Sequence, residues 1–205
     1  MNIELWLAMI VASIALLAIP GPVVMMLFGY TASFGRSVGG VAILGVVAGG
    51  FTAMTVSLLG AGAILAASPT LFFALKLAGA AYLIWLGIQT WRSETELEAA
   101  VIADTSARKL AVLRGSFLVT ALNPKDIIFF VAFLPQFITP NKPTWPQIAV
   151  IEITFLTLVV ISTLIWMLLA GTLVRHLKHS GRLQILNRIG GVFLVAAGML
   201  TGLTH

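Results

Sequence analysis

The sequence predicts an all-α integral membrane protein of about six transmembrane helices, arranged as two inverted three-helix repeats with broken first and fourth helices. Three observations carry that expectation. Of 205 residues, 60% are hydrophobic and only 9% charged, with a mean hydropathy of +1.07, whereas a soluble domain is about a quarter charged. The apolar residues fall into runs long enough to cross a bilayer, which takes roughly 20 residues per helix. The first and fourth runs each carry an interior proline, Pro20 and Pro124.

The expected spans are 4–29, 38–66, 70–91, 111–135, 146–173 and 185–203, in one transmembrane domain covering 1–205. No charge interrupts Leu5 to Gly35. No basic segment precedes that run, so it reads as a retained span rather than a cleaved signal. Ala67-Ser68-Pro69-Thr70 separates the second span from the third, because such breaker residues end helices. Repeat one takes 1–91, a cytoplasmic linker 92–110, and repeat two 111–205. The segment Gly79-Ala-Ala-Tyr-Leu-Ile-Trp-Leu-Gly87 is echoed by Gly190-Gly-Val-Phe-Leu-Val-Ala-Ala-Gly198. An odd number of crossings inverts the second copy, a construction common in secondary transporters.

The net charge of +5 does not mark a nucleic-acid surface, because the basic residues are spread between the apolar runs. Arg36, Arg92, Arg108, Lys109, Arg114, Arg175, Lys178, Arg182 and Arg188 fall on one side of this topology, Lys76 and Lys142 on the other. The crowded side is expected to be cytoplasmic, which places both termini outside. Trp6, Trp91 and Trp145 lie near the expected interfaces. The absence of cysteine excludes disulfides, thiolate metal sites and thiol catalysis. No nucleophile–base constellation points to an enzyme, and no cofactor is implied.

Two motifs carry chemistry. In Leu16 to Met26, Pro20 removes the helical bond to the Leu16 carbonyl and Pro22 the bond to Ala18, while Gly21 adds backbone freedom. In hydrocarbon a bare carbonyl costs several kcal/mol, so such a break survives only inside protein or beside a watery cavity. The second motif is Leu122-Asn-Pro-Lys-Asp126. Lys125 and Asp126 interrupt an otherwise apolar run from Gly115 to Thr139, and ionisable residues at that depth mark function by default. Adjacent helical positions point about 100° apart, so each needs its own partner or water. Glu152 is the other acid deep in the second half and a second candidate proton carrier. The glycines from Gly39 to Gly50 read as close-packing positions; they leave a homodimer open as the favoured assembly.

With these motifs in order, the chain resembles the LysE/RhtB family of bacterial amino-acid exporters, the lysine exporter and homoserine/threonine exporter group. The resemblance rests on Ile19-Pro-Gly-Pro22, Gly35-Arg36 with the Gly39 to Gly50 stretch, and Gly79-Ala-Ala-Tyr-Leu83 with Gly87. In the second half it rests on Asn123-Pro-Lys125 with Phe129-Phe130, and on Leu134-Pro-Gln-Phe137. It implies an inner-membrane secondary transporter that exports amino acids or close derivatives by proton antiport. Many members of the homoserine branch carry asparagine directly after Pro-Gly-Pro, where this chain has Val23, so the resemblance does not name the substrate. On this reading Pro20, Gly21, Pro22, Asn123, Pro124 and Lys125 form the substrate site, with Lys125 facing the carboxylate. Asp126 and Glu152 couple the proton. The rival readings are a metal-ion exporter of a related superfamily, which would want clustered His, Cys or acids, and a non-transporting membrane subunit.

Overall fold

The computed structural model describes residues 3–92, 106–139 and 142–177, together with residues 188, 192, 195, 196, 198 and 199. The described residues are helical and form no strand. Helices α1 (Ile3–Ala18) and α2 (Pro22–Phe34) make one apolar pair bent by 54°. Gly35, at φ 83°, turns the chain into α3 (Arg36–Ala67), a backbone angle that glycine reaches without strain. After Ser68 come α4 (Pro69–Arg92) and then α5 (Ser106–Ala121). A second bent pair, at 41°, joins α5 to α6 (Pro124–Ile128), which runs into a π-helical segment, Phe129–Phe133, and a 3-10 turn, Leu134–Phe137. The last long element is α7 (Thr144–Leu177).

Three helices are long and apolar enough to cross a membrane alone, and the two bent pairs raise the count to five among the described residues. These match the first five expected spans to within a few residues at most boundaries, and both breaks fall where the prolines put them. The expected sixth span, 185–203, lies outside the described residues apart from six positions, as does 93–105 of the expected linker. The remainder of that linker, from Ser106, is already helical in α5.

The packing suits a lipid environment. Large apolar side chains point outward, as at Ile3, Leu7, Val11 and Ile14 along one face of α1, at the three- and four-residue spacing of a helical stripe. Inside are small and polar residues, including Ser13, Ser116, Thr120, Asn123, Asp126 and Thr163, beside a large apolar core. Helices α3 and α5 approach closely because α3 carries glycine at the contact. A Cβ on Gly49 would lie 2.5 Å from the Phe117 carbonyl oxygen and 3.1 Å from Thr120 Cβ. Small residues allow this approach where hydrophobic association offers no drive.

One irregularity goes beyond what the spans predict. Pro135 has no N–H for the Val131 carbonyl, and the chain before it winds as a π-helix, with the Leu134 N–H reaching Phe129 O, a five-residue step that recurs at functional sites. The segment stacks Phe129 on Phe133 at 4.9 Å between ring centroids and sets Phe130 edge-on to Phe155 of α7 at 5.0 Å.

Candidate functional site

The two breaks face each other. At the first, α1 ends at Ala18 and α2 restarts with Pro22 as its first residue after an extended Gly21, the position where a missing N–H costs least. The carbonyls thereby freed in the last turn of α1 find donors on other helices. The Lys125 ammonium donates to Leu16 O at 3.3 Å, the carbonyl that Pro20 releases. The Leu17 carbonyl accepts from Ser162 Oγ and Trp166 Nε1 of α7, each at 3.4 Å. These two donors stand four residues apart, on one face of α7.

At the second break the motif caps itself. Asn123 is the N-cap of α6, its side-chain oxygen accepting from the Lys125 N–H at 3.2 Å. Its amide nitrogen donates to Asp126 Oδ2 at 2.8 Å. Asn123 and Asp126 are both buried, so a carboxylate is held inside the bundle by a neighbouring amide. Asp126 also lies in the first turn of α6, beside the positive end of the helix.

All six residues assigned to the substrate site, Pro20, Gly21, Pro22, Asn123, Pro124 and Lys125, line one cavity of about 250 Å3, together with Tyr82, Leu86 and Gln89 of α4. Asp126 lines a second, smaller chamber of about 40 Å3 with Thr120, Ser162, Thr163, Phe130 and Phe155. Ile19, Gly21, Asn123 and Lys125 border both. The Lys125 side chain therefore stands in the wall between them. Gly21 makes room for it, since a Cβ there would come 3.3 Å from Lys125 Nζ.

Glu152 lines neither space. It sits on α7 against α3, where Thr55 Oγ1 lies 2.6 Å from Glu152 Oε1 and 2.9 Å from the Phe51 carbonyl. A hydroxyl has one hydrogen, so Thr55 donates to one of these oxygens at a time. Tyr82, Gln89, Thr120, Ser162, Thr163 and Trp166 line these two spaces and were not singled out by sequence reading. Their signal was faint: Tyr82, Leu86 and Gln89 share a face at i, i+4 and i+7, and Ser162 and Trp166 are spaced by four within an apolar span.

The chain can be placed among known proteins. Residues 14–203 match the family model described as LysE type translocator. An uncharacterized membrane protein of Vibrio cholerae is 34% identical over 98% of this chain and 97% of its own length. The homoserine/homoserine lactone efflux protein of Salmonella typhi is 30% identical over the whole of both chains. The leucine efflux protein of Klebsiella pneumoniae is 30% identical over 97% of this chain and 95% of its own. No solved structure matches the chain.

Proposed function

This chain belongs to the LysE type translocator family, and from that premise we propose that it exports amino acids or close derivatives across the bacterial inner membrane by proton antiport. The efflux proteins it resembles end to end move homoserine, its lactone or leucine by their names. One observation supports the reading above the others: residues from two segments about a hundred positions apart line one cavity, and an ammonium from one segment occupies a carbonyl bared by the other.

The bound-state chemistry follows. The substrate carboxylate takes the Lys125 ammonium from the Leu16 carbonyl, replacing a bond to a neutral oxygen with a charge-assisted one of roughly twice the strength. The substrate ammonium pairs with Asp126, which Asn123 holds in place. A proton arriving on Asp126 cancels that attraction and releases the substrate, and the reverse exchange couples proton entry to export. Glu152, with Thr55 as its hydroxyl partner, is the second proton carrier. Two inverted three-helix units, 1–91 and 111–205, each contribute one break, and rocking one against the other alternates access. The expected sixth span completes the second unit, and a homodimer is the proposed assembly.

Efflux from cells overproducing the protein, preloaded with a panel of amino acids and derivatives, tests this beside an equally inserted Lys125→Ala control. Release of one chemical class by the parent chain is expected, falling about a hundredfold in the variant, because truncating one side of a buried charged contact costs on the order of 3 kcal/mol. Equal release by both would remove Lys125 from the site. No release of any compound would remove the exporter reading.

A further inference from the structure

A third cavity, of about 620 Å3, takes no part in the exchange at the two breaks. Leu58 and Gly62 of α3, Phe72 of α4, and Ile138, Lys142 and Ile148 are among the residues that line it. It lies at the end of the bundle opposite Arg36, Arg92, Lys109 and Arg114, and the end poor in basic residues is the outer one. Three elements order this cavity against the Asp126 chamber. Along α7, Val159 and Phe155 line the chamber while Ile148 and Trp145 line the cavity; along α3 the order is Val46 and Gly50, then Leu58 and Gly62; beyond the second break it is Asp126 and Phe130, then Pro135 and Ile138. From Phe155 to Ile148 is about 10 Å along the helix. Glu152 stands between them. It shares a face of α7 with Ile148 and Trp145, and its partner Thr55 shares a face of α3 with Leu58, Leu59 and Gly62, at the three-, four- and seven-residue spacings of helical neighbours. The Thr55–Glu152 contact and the Phe130–Phe155 ring contact therefore lie between the two spaces.

We propose that the outer cavity is an exit site for the exported amino acid, in which the Lys142 ammonium pairs with the carboxylate after it has left Lys125. The backbone on either side of Lys142 is fixed by Gln147, which is 4% exposed. The Thr139 N–H donates to the Gln147 side-chain oxygen at 2.8 Å, and the Gln147 amide nitrogen donates to the Thr139 and Pro143 carbonyls, each at 3.2 Å. Among the described residues no carboxylate pairs with the Lys142 ammonium. The walls contributed by Leu58, Phe72, Ile138 and Ile148 are apolar, and the volume is that of a small-molecule site. One cation beside apolar walls complements the one end that every amino acid shares. Lys142 is exposed, and an exposed ion pair is weak, so the outer site holds the carboxylate more loosely than the inner one and lets it go.

This inference rests on the amino-acid exporter reading, which the efflux panel tests separately. The chain has no cysteine, so a single one can report on the cavity. A Cβ on Gly62 meets nothing within 4 Å, which gives Gly62→Cys room to fold, and Thr144→Cys supplies a second lining position. Val56→Cys, on an exposed face of α3 at similar depth, is the lipid-facing control. A charged, membrane-impermeant methanethiosulfonate added outside intact cells is expected to label both cavity variants and to spare Val56→Cys. The probes are the protein amino acids and homoserine, added outside one at a time. The one that the parent chain exports should slow labelling about threefold at twice its dissociation constant, and its amino alcohol, which lacks the carboxylate, should not. Lys142→Gln should leave unliganded labelling unchanged and raise the protecting concentration about fivefold, the worth of one exposed ion pair. Labelling of the cavity variants no faster than that of Val56→Cys would give the cavity to lipid and overturn the exit site. Labelling that no amino acid slows, while the parent chain exports one, would overturn it too and leave the exporter reading standing. If the parent chain exports nothing, both fall.

Discussion

The two broken helices achieve a similar bend with opposite means. The first break, at Pro20-Gly21-Pro22, contains no polar side chain and depends on donors from elsewhere: Lys125 from the second break, Ser162 and Trp166 from α7. The second, at Asn123-Pro124, carries its own cap and its own charges. One presents bare backbone; the other presents side chains that can use it. The contrast teaches why the pair works as a unit. A break without donors is stable in hydrocarbon only while its partner is docked, so any ligand that draws Lys125 away also loosens the joint between the two halves.

Three variants would break or sharpen this comparison. The largest effect is expected from Asp126→Asn, which keeps the size and the contact with Asn123 but removes the charge. Export under a proton gradient should fall to the level of cells lacking the protein while membrane insertion is unchanged; export at the parent rate would take Asp126 out of the coupling. Next comes Asn123→Ala, which strips the self-cap. Losing an N-cap costs about 1 kcal/mol and here also leaves Asp126 without its amide. Thermal unfolding in detergent should shift down and transport should weaken, and an unaltered unfolding curve would mean that the second break does not depend on its cap. The smallest effect belongs to Ser162→Ala combined with Trp166→Phe, which removes the donors to Leu17 O. A loss of about 1 kcal/mol per bond should lower the melting temperature while substrate affinity stays near that of the parent, because Lys125 still bridges to Leu16. A fall in affinity larger than the fall in stability would show that the α7 donors touch the substrate.

Much of the fold was legible in the residues. Prolines 20, 22 and 124 place the breaks because a missing N–H and a ring clash act within one turn, wherever the helix packs. That Pro20 bares the Leu16 carbonyl was equally local. That Lys125 fills it was not, since the two stand 109 positions apart. Pro135 shows the limit of local reading from the other side: its effect spreads back into a π-helical turn of stacked phenylalanines, and the sequence contains no rule choosing that over a simple kink. Thr120 and Ser162 were invisible for a different reason. Within helices that are apolar all round, a single hydroxyl says nothing about which face is turned inward.

Composition, run length and proline position are properties of a segment in lipid, so the chain by itself determined the membrane setting, the first five candidate spans and the positions of both breaks along the chain. Helix rotation and contact are decided by how small and large side chains interlock across the bundle. Only the tertiary structure could therefore seat Lys125 in the first break, place that residue on the border of two interior spaces, and set Glu152 apart against Thr55.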